Sequence, residues 1–344
     1  TKTVLAEAAK KSARIVTAYE RGEKEPRLLT LLRLAQVLEF PIGFFHGVTL
    51  DEPPIRGTSF RSLSSLTAKQ RDQALGAGAL VLAFSDWIER HFTLPEADIP
   101  TWESVDHETA AMALRNRWGL GELPIRNMVH LLEAHGIGVF SLAEECHAMD
   151  AYSFWRNGKP HIILNTMKSA EHRRQDAAHE LGHLVLHSKG VAHGRDIERE
   201  ANLFGSAFLM PRGSVLAEAP SGMSLTHLIM AKHRWNVSVA NLAYRMHTVG
   251  MLSDWQYRQL FIEMSGLGYR KQEPEPAIPE SSQVLTKVLA AIREDKMTLA
   301  TVAQELEIPP SELNMMVFGL TLTHIEGGAV HGNLNGDRPA LRVV

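Results

Sequence analysis

The stretch Ala177-Ala178-His179-Glu180-Leu181-Gly182-His183-Leu184-Val185-Leu186-His187 is helix-compatible and apolar-periodic, and it decides how the middle of the chain is read. Residues four apart share one face of an α-helix, so the imidazoles of His179 and His183 can converge on one metal ion. Glu180 projects about 100° around the helix from His179, where it can reach a water on the metal without being a ligand. Zinc lowers the pKa of its bound water to about 7, and a neighbouring carboxylate then takes the proton as that water attacks a peptide carbonyl. His187 continues the face but lies about 12 Å along the axis from His179, too far for one ion to bind both. It is expected behind the site or capping the helix end.

The third ligand is expected from another helix. DIEREANLFGSAFLM, Asp196 to Met210, reads as one, with Ala201, Phe204, Ala207 and Phe208 as its apolar stripe. Glu200 stands beside that stripe, and Glu198 competes with it. Either acid could instead be solvated in the first turn, stabilised by the helix dipole.

HELGHLVLH, followed by EREANLFGSAFLMP from Glu198 to Pro211, resembles the ImmA/IrrE metallopeptidases. The resemblance implies a zincin-like peptidase core of gluzincin type and Zn2+ as cofactor. His179, His183 and Glu200, the Glu of the EAN triplet, would then be the ligands and Glu180 the catalytic base. It also implies limited, site-specific cuts in a regulatory protein, usually a repressor. Thermolysin places an acid four residues after its ligand Glu; counted from Glu200, that position is Phe204, which leaves a ligand His without an identified partner.

Upstream, DAYSFWRNGKPHIILNT from Asp150 to Thr166 reads as a hairpin turning at Asn157-Gly158, and Gly136 to Leu142 supplies a third strand. A sheet edge above the metal helix would hold extended substrate by strand addition. Tyr152, His193 and Tyr244 are candidates for stabilising the oxyanion; each could equally be a packed residue with its polar tip satisfied.

The chain has 344 residues, 44% hydrophobic and 22% charged, the composition of an ordinary globular protein of two or three domains. The fold class expected is mainly α with a small β-sheet (α+β). No apolar run of about 18 residues and no leader pattern is found, so a cytoplasmic protein with no membrane partner is expected. Cys146 is the single cysteine, which excludes an intramolecular disulfide framework and argues against a thiol protease. A net charge of −3 gives no global attraction for nucleic acid.

The N-terminal end is locally different, with eight basic against five acidic residues between Thr1 and Val48. Its punctuation is that of a helix-turn-helix: a helix from Lys2 to Ala9, Ser12 as N-cap, a helix from Ala13 to Arg21, Gly22 as stop, then an apolar helix from Leu28 to Leu38. SARIVTAYERGEKEP and LLTLLRLAQVLEFPIGFF resemble the Xre/Cro-repressor type of DNA-binding domain, here without its first helix. The resemblance implies that Ala13 to Glu20 is the recognition helix, with Lys11, Arg14 and Thr17 as contacts to a double-stranded DNA operator. A homodimer is expected, since paired half-sites mirror a two-fold protein.

The organisation expected is 1–48 for the DNA-binding domain, 49–105 for a linker and long amphipathic helix, and 106–271 for the peptidase domain. Residues 280–344 are expected as a helical, helix-turn-helix-like region and tail, with SELNMMVF read as a packing or dimerisation segment rather than a DNA contact because it lacks Lys and Arg. QEPEPAIP, from Gln272 to Pro279, is too rich in Pro and Glu for a core and marks a boundary. The function expected is a DNA-binding transcriptional regulator with zinc-dependent endopeptidase activity toward a repressor or itself. The alternative is a regulator whose peptidase-like domain senses or binds a partner without turnover.

Overall fold

The computed structural model describes residues 2–54, 67–142, 149–187, 195–218 and 224–321. Cys146, His193 and the tail from Gly327 lie outside the described residues.

Three short helices open the chain: α1 (Lys2–Ala8), α2 (Ala13–Glu20) and α3 (Leu28–Leu38). Ser12 caps α2 by accepting the Ile15 N–H, and Glu39 ends α3 in the left-handed region at φ 58°. Ala6, Ala9, Val16, Leu31, Leu34 and Ala35 bury a small core between them. A 3-10 turn, Ile42–Phe45, follows; its Phe44 packs on Phe40 with ring centroids 4.7 Å apart.

Helix α4 (Ala68–His91) starts at a capping box made by Thr67 and Gln70 and buries Trp87, as its amphipathic pattern requires. Helices α5 (His107–Arg117) and α6 (Met128–Ala134) lead into the sheet. Its strands are β1 (Gly138–Ser141), β2 (Ala151–Arg156) and β3 (Lys159–Leu164), in the order β1-β3-β2. The β2–β3 hairpin turns at Asn157 and Gly158, both with positive φ (52° and 77°), the pairing a two-residue turn between twisted strands demands. β1 joins the other side of β3 in parallel.

Side chains alternate across the sheet, and that parity divides its two neighbours. On β2, the Tyr152 hydroxyl donates to the Ala74 carbonyl of α4, and Phe154 stacks on His161, which meets Ser85 of α4. Ser153 and Trp155 point the other way, onto helix α7 (Ala170–Leu186). The sheet therefore lies between α4 and α7.

Helix α8 (Arg195–Leu209) packs along α7 at close range. The approach depends on two glycines: a Cβ on Gly205 would lie 3.0 Å from the His179 backbone nitrogen, and one on Gly182 would lie 3.2 Å from the Ala201 backbone. The remaining regular elements of the described chain are helices: α9 (Arg212–Ala217), α10 (Leu225–Trp235), α11 (Val239–Thr248), α12 (Asp254–Gly266), α13 (Gln283–Glu294), α14 (Leu299–Glu305) and α15 (Pro310–Val317). Leu313, Met316 and Val317 of α15 are buried, so SELNMMVF packs.

Buried cations tie these helices to the core. Arg245 of α11 makes a two-point pair with Glu108 at 2.8 and 2.6 Å and donates to the Met210 carbonyl at 2.8 Å. Lys232 of α10, 1% exposed, contacts Glu273 at 3.2 Å and Glu171 at 3.6 Å. The Glu-rich stretch read as a boundary is thus docked: Glu273 also accepts the Val239 N–H, the Ala277 N–H donates to Glu171, and Glu280 pairs with Arg174.

Candidate metal centre

Helix α7 presents His179 and His183 one turn apart, and their Nε2 atoms face each other at 3.0 Å. The carboxylate that joins them is Glu198, with oxygens 3.4 Å from His179 Nε2 and 3.6 Å from His183 Nε2. Glu200 does not join them. Its side chain is 57% exposed and meets His187 Nε2 at 3.2 Å. The reason is helical phase: Glu198, Asn202 and Gly205 follow one line along α8 toward α7, whereas a residue two further on from Glu198 is rotated by about 200°.

Each imidazole is held from behind. His179 Nδ1 meets Asn202 Oδ1 at 3.1 Å, and His183 Nδ1 meets His187 Nδ1 at 3.1 Å. Asn202 stands four residues after Glu198, so counting from Glu200 leads to Phe204 and misses it. His187 is the C-cap residue of α7, its N–H bonding the His183 carbonyl, and its ring links Glu200 to His183. Of the two expectations for His187, the ring takes the position behind the site; the helix end is capped by its backbone N–H and not by its imidazole.

Burial, reinforced by the neighbouring His179 and His187, lowers the pKa of His183 well below the ordinary imidazole value and keeps it neutral. At His179 burial acts in the same direction, but the bond to Glu198 and the charges of Glu180, Glu198 and Asp176 prevail and raise it. Glu180 is 1% exposed, and its Oε2 accepts the Ser153 hydroxyl at 2.7 Å. Strand parity that turns Ser153 toward Glu180 turns Tyr152 away. The Tyr152 hydroxyl is 3.0 Å from the Ala74 carbonyl, so this oxyanion candidate faces α4. Tyr244 lies on α11 and makes no hydrogen bond to the imidazole pair; after burial, its proximity helps raise the pKa of Tyr257.

The donor set fits a zinc ion. Two imidazole nitrogens and a carboxylate oxygen turned toward one point are ligand types that zinc takes. A tetrahedral zinc with bonds of about 2.0–2.1 Å would hold its ligand atoms about 3.3 Å apart. The observed spacings of 3.0, 3.4 and 3.6 Å bracket that value. A further group one turn up α7, Asp150, His172 and Asp176, is more open, and Lys168 already pairs with Asp150.

Residues 132–247 match the family model for the IrrE N-terminal-like domain, and residues 1–45 match a helix-turn-helix model. The chain joins a helix-turn-helix to an IrrE-like domain. This agrees with both resemblances in the sequence, and the IrrE-like domain is peptidase-like. No curated protein matches the chain.

In the helix-turn-helix, Arg14 is exposed, Lys11 is half-buried, and the Thr17 hydroxyl donates to the Ala13 carbonyl of its own helix. None of the described helices is long and apolar enough to cross a membrane.

Proposed function

We propose that the protein is a DNA-binding transcriptional regulator whose IrrE-like domain is a zinc-dependent endopeptidase, making site-specific cuts in a regulatory protein, either a repressor or the chain itself. The observation that carries this reading is the convergence of His179, His183 and Glu198 beside a Glu180 carboxylate oriented by Ser153. A closed structural zinc site needs no acid in that position.

His179, His183 and Glu198 would hold Zn2+, which supplies Lewis-acid activation of water and the substrate carbonyl when bound. Glu180 takes a proton from the attacking water as its oxygen bonds to the peptide carbon. It returns that proton to the amide nitrogen as the C–N bond breaks. Ser153, by donating to Oε2, fixes the rotamer from which Glu180 works. Strand β2 is an edge of the sheet and runs along α7, so its outer edge can pair with an extended substrate. Lys11, just before α2, and Arg14 and Thr17 on α2 are the proposed contacts to double-stranded DNA, in a homodimer.

The test compares zinc-loaded wild type with Glu180→Gln on a peptide library. The expected result is equal zinc content and operator binding in both, with cleavage by wild type alone. Cleavage by the pure variant would remove Glu180 as base. Zinc binding and operator binding with no cleavage by either protein would leave a regulator that uses the domain as a sensor.

A further inference from the structure

A cavity of about 630 Å3 lies on the other side of the sheet from the His pair, between α4, the β1 strand and the start of α13. Its size is that of small-molecule sites, which run to about 300–1,000 Å3. Its wall is mostly apolar, including Ile88, Phe92, Ile137, Val139 and Phe140, each 5% exposed or less.

The polar groups in it are specific. His161 is 3% exposed and stacks on Phe154, with centroids 5.2 Å apart. Its Nε2 meets the Ser85 hydroxyl at 3.2 Å, but its Nδ1 is buried without a hydrogen-bond partner among the described residues, the Lys159 backbone lying near it outside bonding geometry. Burial also pushes His161 down to about 4, so the ring is neutral at pH 7. Three of the charged groups on the wall are compensated, since Glu89 pairs with Lys159 and Glu133 accepts from Ser282, Gln283 and Val284; the fourth, Glu96, is exposed to solvent. Gly138 keeps the corner open, since a Cβ there would come within 3.1 Å of the His161 ring and 3.2 Å of Phe140.

We propose that this cavity is a binding site for an uncharged, predominantly apolar small molecule carrying one hydrogen-bonding group for the Ser85–His161 pair. The ligand is uncharged because Glu89, Lys159 and Glu133 are already partnered and Glu96 is exposed to solvent, and it is small because the cavity has the volume of a small-molecule site. Helix α4 carries Ser85 on the cavity side, and the next residue, Asp86, pairs with Arg156, which also pairs with Asp51 beyond the helix-turn-helix. The site is separate from the proposed peptidase chemistry and stands without it.

The test is fluorine NMR line broadening on the full chain with para-fluorophenol, para-fluorobenzamide and fluoroindole, against the charged para-fluorobenzoate and para-fluorobenzylamine. The neutral probes are expected to broaden and the charged ones to stay sharp. Ala97→Trp at the exposed rim and Val284→Trp at the half-buried wall should each abolish broadening. His161→Phe, which keeps the ring stacking, should weaken phenol and benzamide at least tenfold. No broadening by any neutral probe at about 1 mM, equal broadening by the charged probes, or retained broadening in both Trp variants would each overturn the assignment.

Discussion

Replacing Glu198 by Ala removes a carboxylate that is 11% exposed and within 3.4 and 3.6 Å of the two imidazole nitrogens. Partners one layer behind a metal ligand are worth about 10–100-fold in affinity, so loss of one of three protein ligands should cost more than about 100-fold, or about 2.7 kcal/mol. Glu200→Ala is the matched control. Among the described residues its carboxylate touches only His187, which in turn touches His183, and it is 57% exposed. That variant should lose less than about tenfold. Zinc affinity is measured by competition with a chromophoric chelator at fixed pH, with circular dichroism to confirm folding. If Glu200→Ala loses more than about 100-fold while Glu198→Ala stays within about tenfold, the helical-phase argument is wrong.

Ser153→Ala should leave zinc content unchanged and lower kcat by about tenfold, the value of one hydrogen bond to a charged group; an unchanged kcat would deny Ser153 its orienting role. Arg245→Met should destabilise the fold by about 3 kcal/mol, the low end for breaking a buried pair because the Glu108 side chain is 34% exposed, as read from urea midpoints. Gly205→Ala should cost about 1–3 kcal/mol by pressing a methyl on the α7 backbone, and a stability equal to wild type would mean that the helices are less closely packed. Burial raises Glu133 from 4.5 to about 7, against its bonds from Ser282, Val284 and Gln283 and the charge of Lys287. The folded chain then keeps a proton that the unfolded chain releases, so this contribution is full below pH 4.5 and lost as pH rises through about 7. The stability difference between wild type and Glu133→Gln should fall by on the order of 3 kcal/mol between pH 5 and 8, and a flat difference would contradict the burial argument.

Local periodicity makes much of the protein legible in the sequence alone. His179 and His183 share a face because four residues make about one turn, Asn157-Gly158 reverses the chain because both residues accept positive φ, and Ser12 begins a helix because its oxygen caps one. Each of these features involves only a few neighbouring residues. The choices that failed or stayed open depend on how one element docks on another. Glu198 and Glu200 lie within a single turn of α8, and only the rotation at which α8 meets α7, permitted by Gly182 and Gly205, selects Glu198 and brings Asn202 behind His179. Tyr152 and Ser153 are adjacent on β2, and only the layering of α4 and α7 on opposite faces decides that Ser153 reaches Glu180. The Glu-rich stretch resembles a linker in composition, yet Lys232, buried on a distant helix, draws its Glu273 onto the domain, and buried Arg174 holds Glu280 just after it. A side chain's direction along its own element is written in the local sequence, but which neighbour it meets is set by tertiary packing.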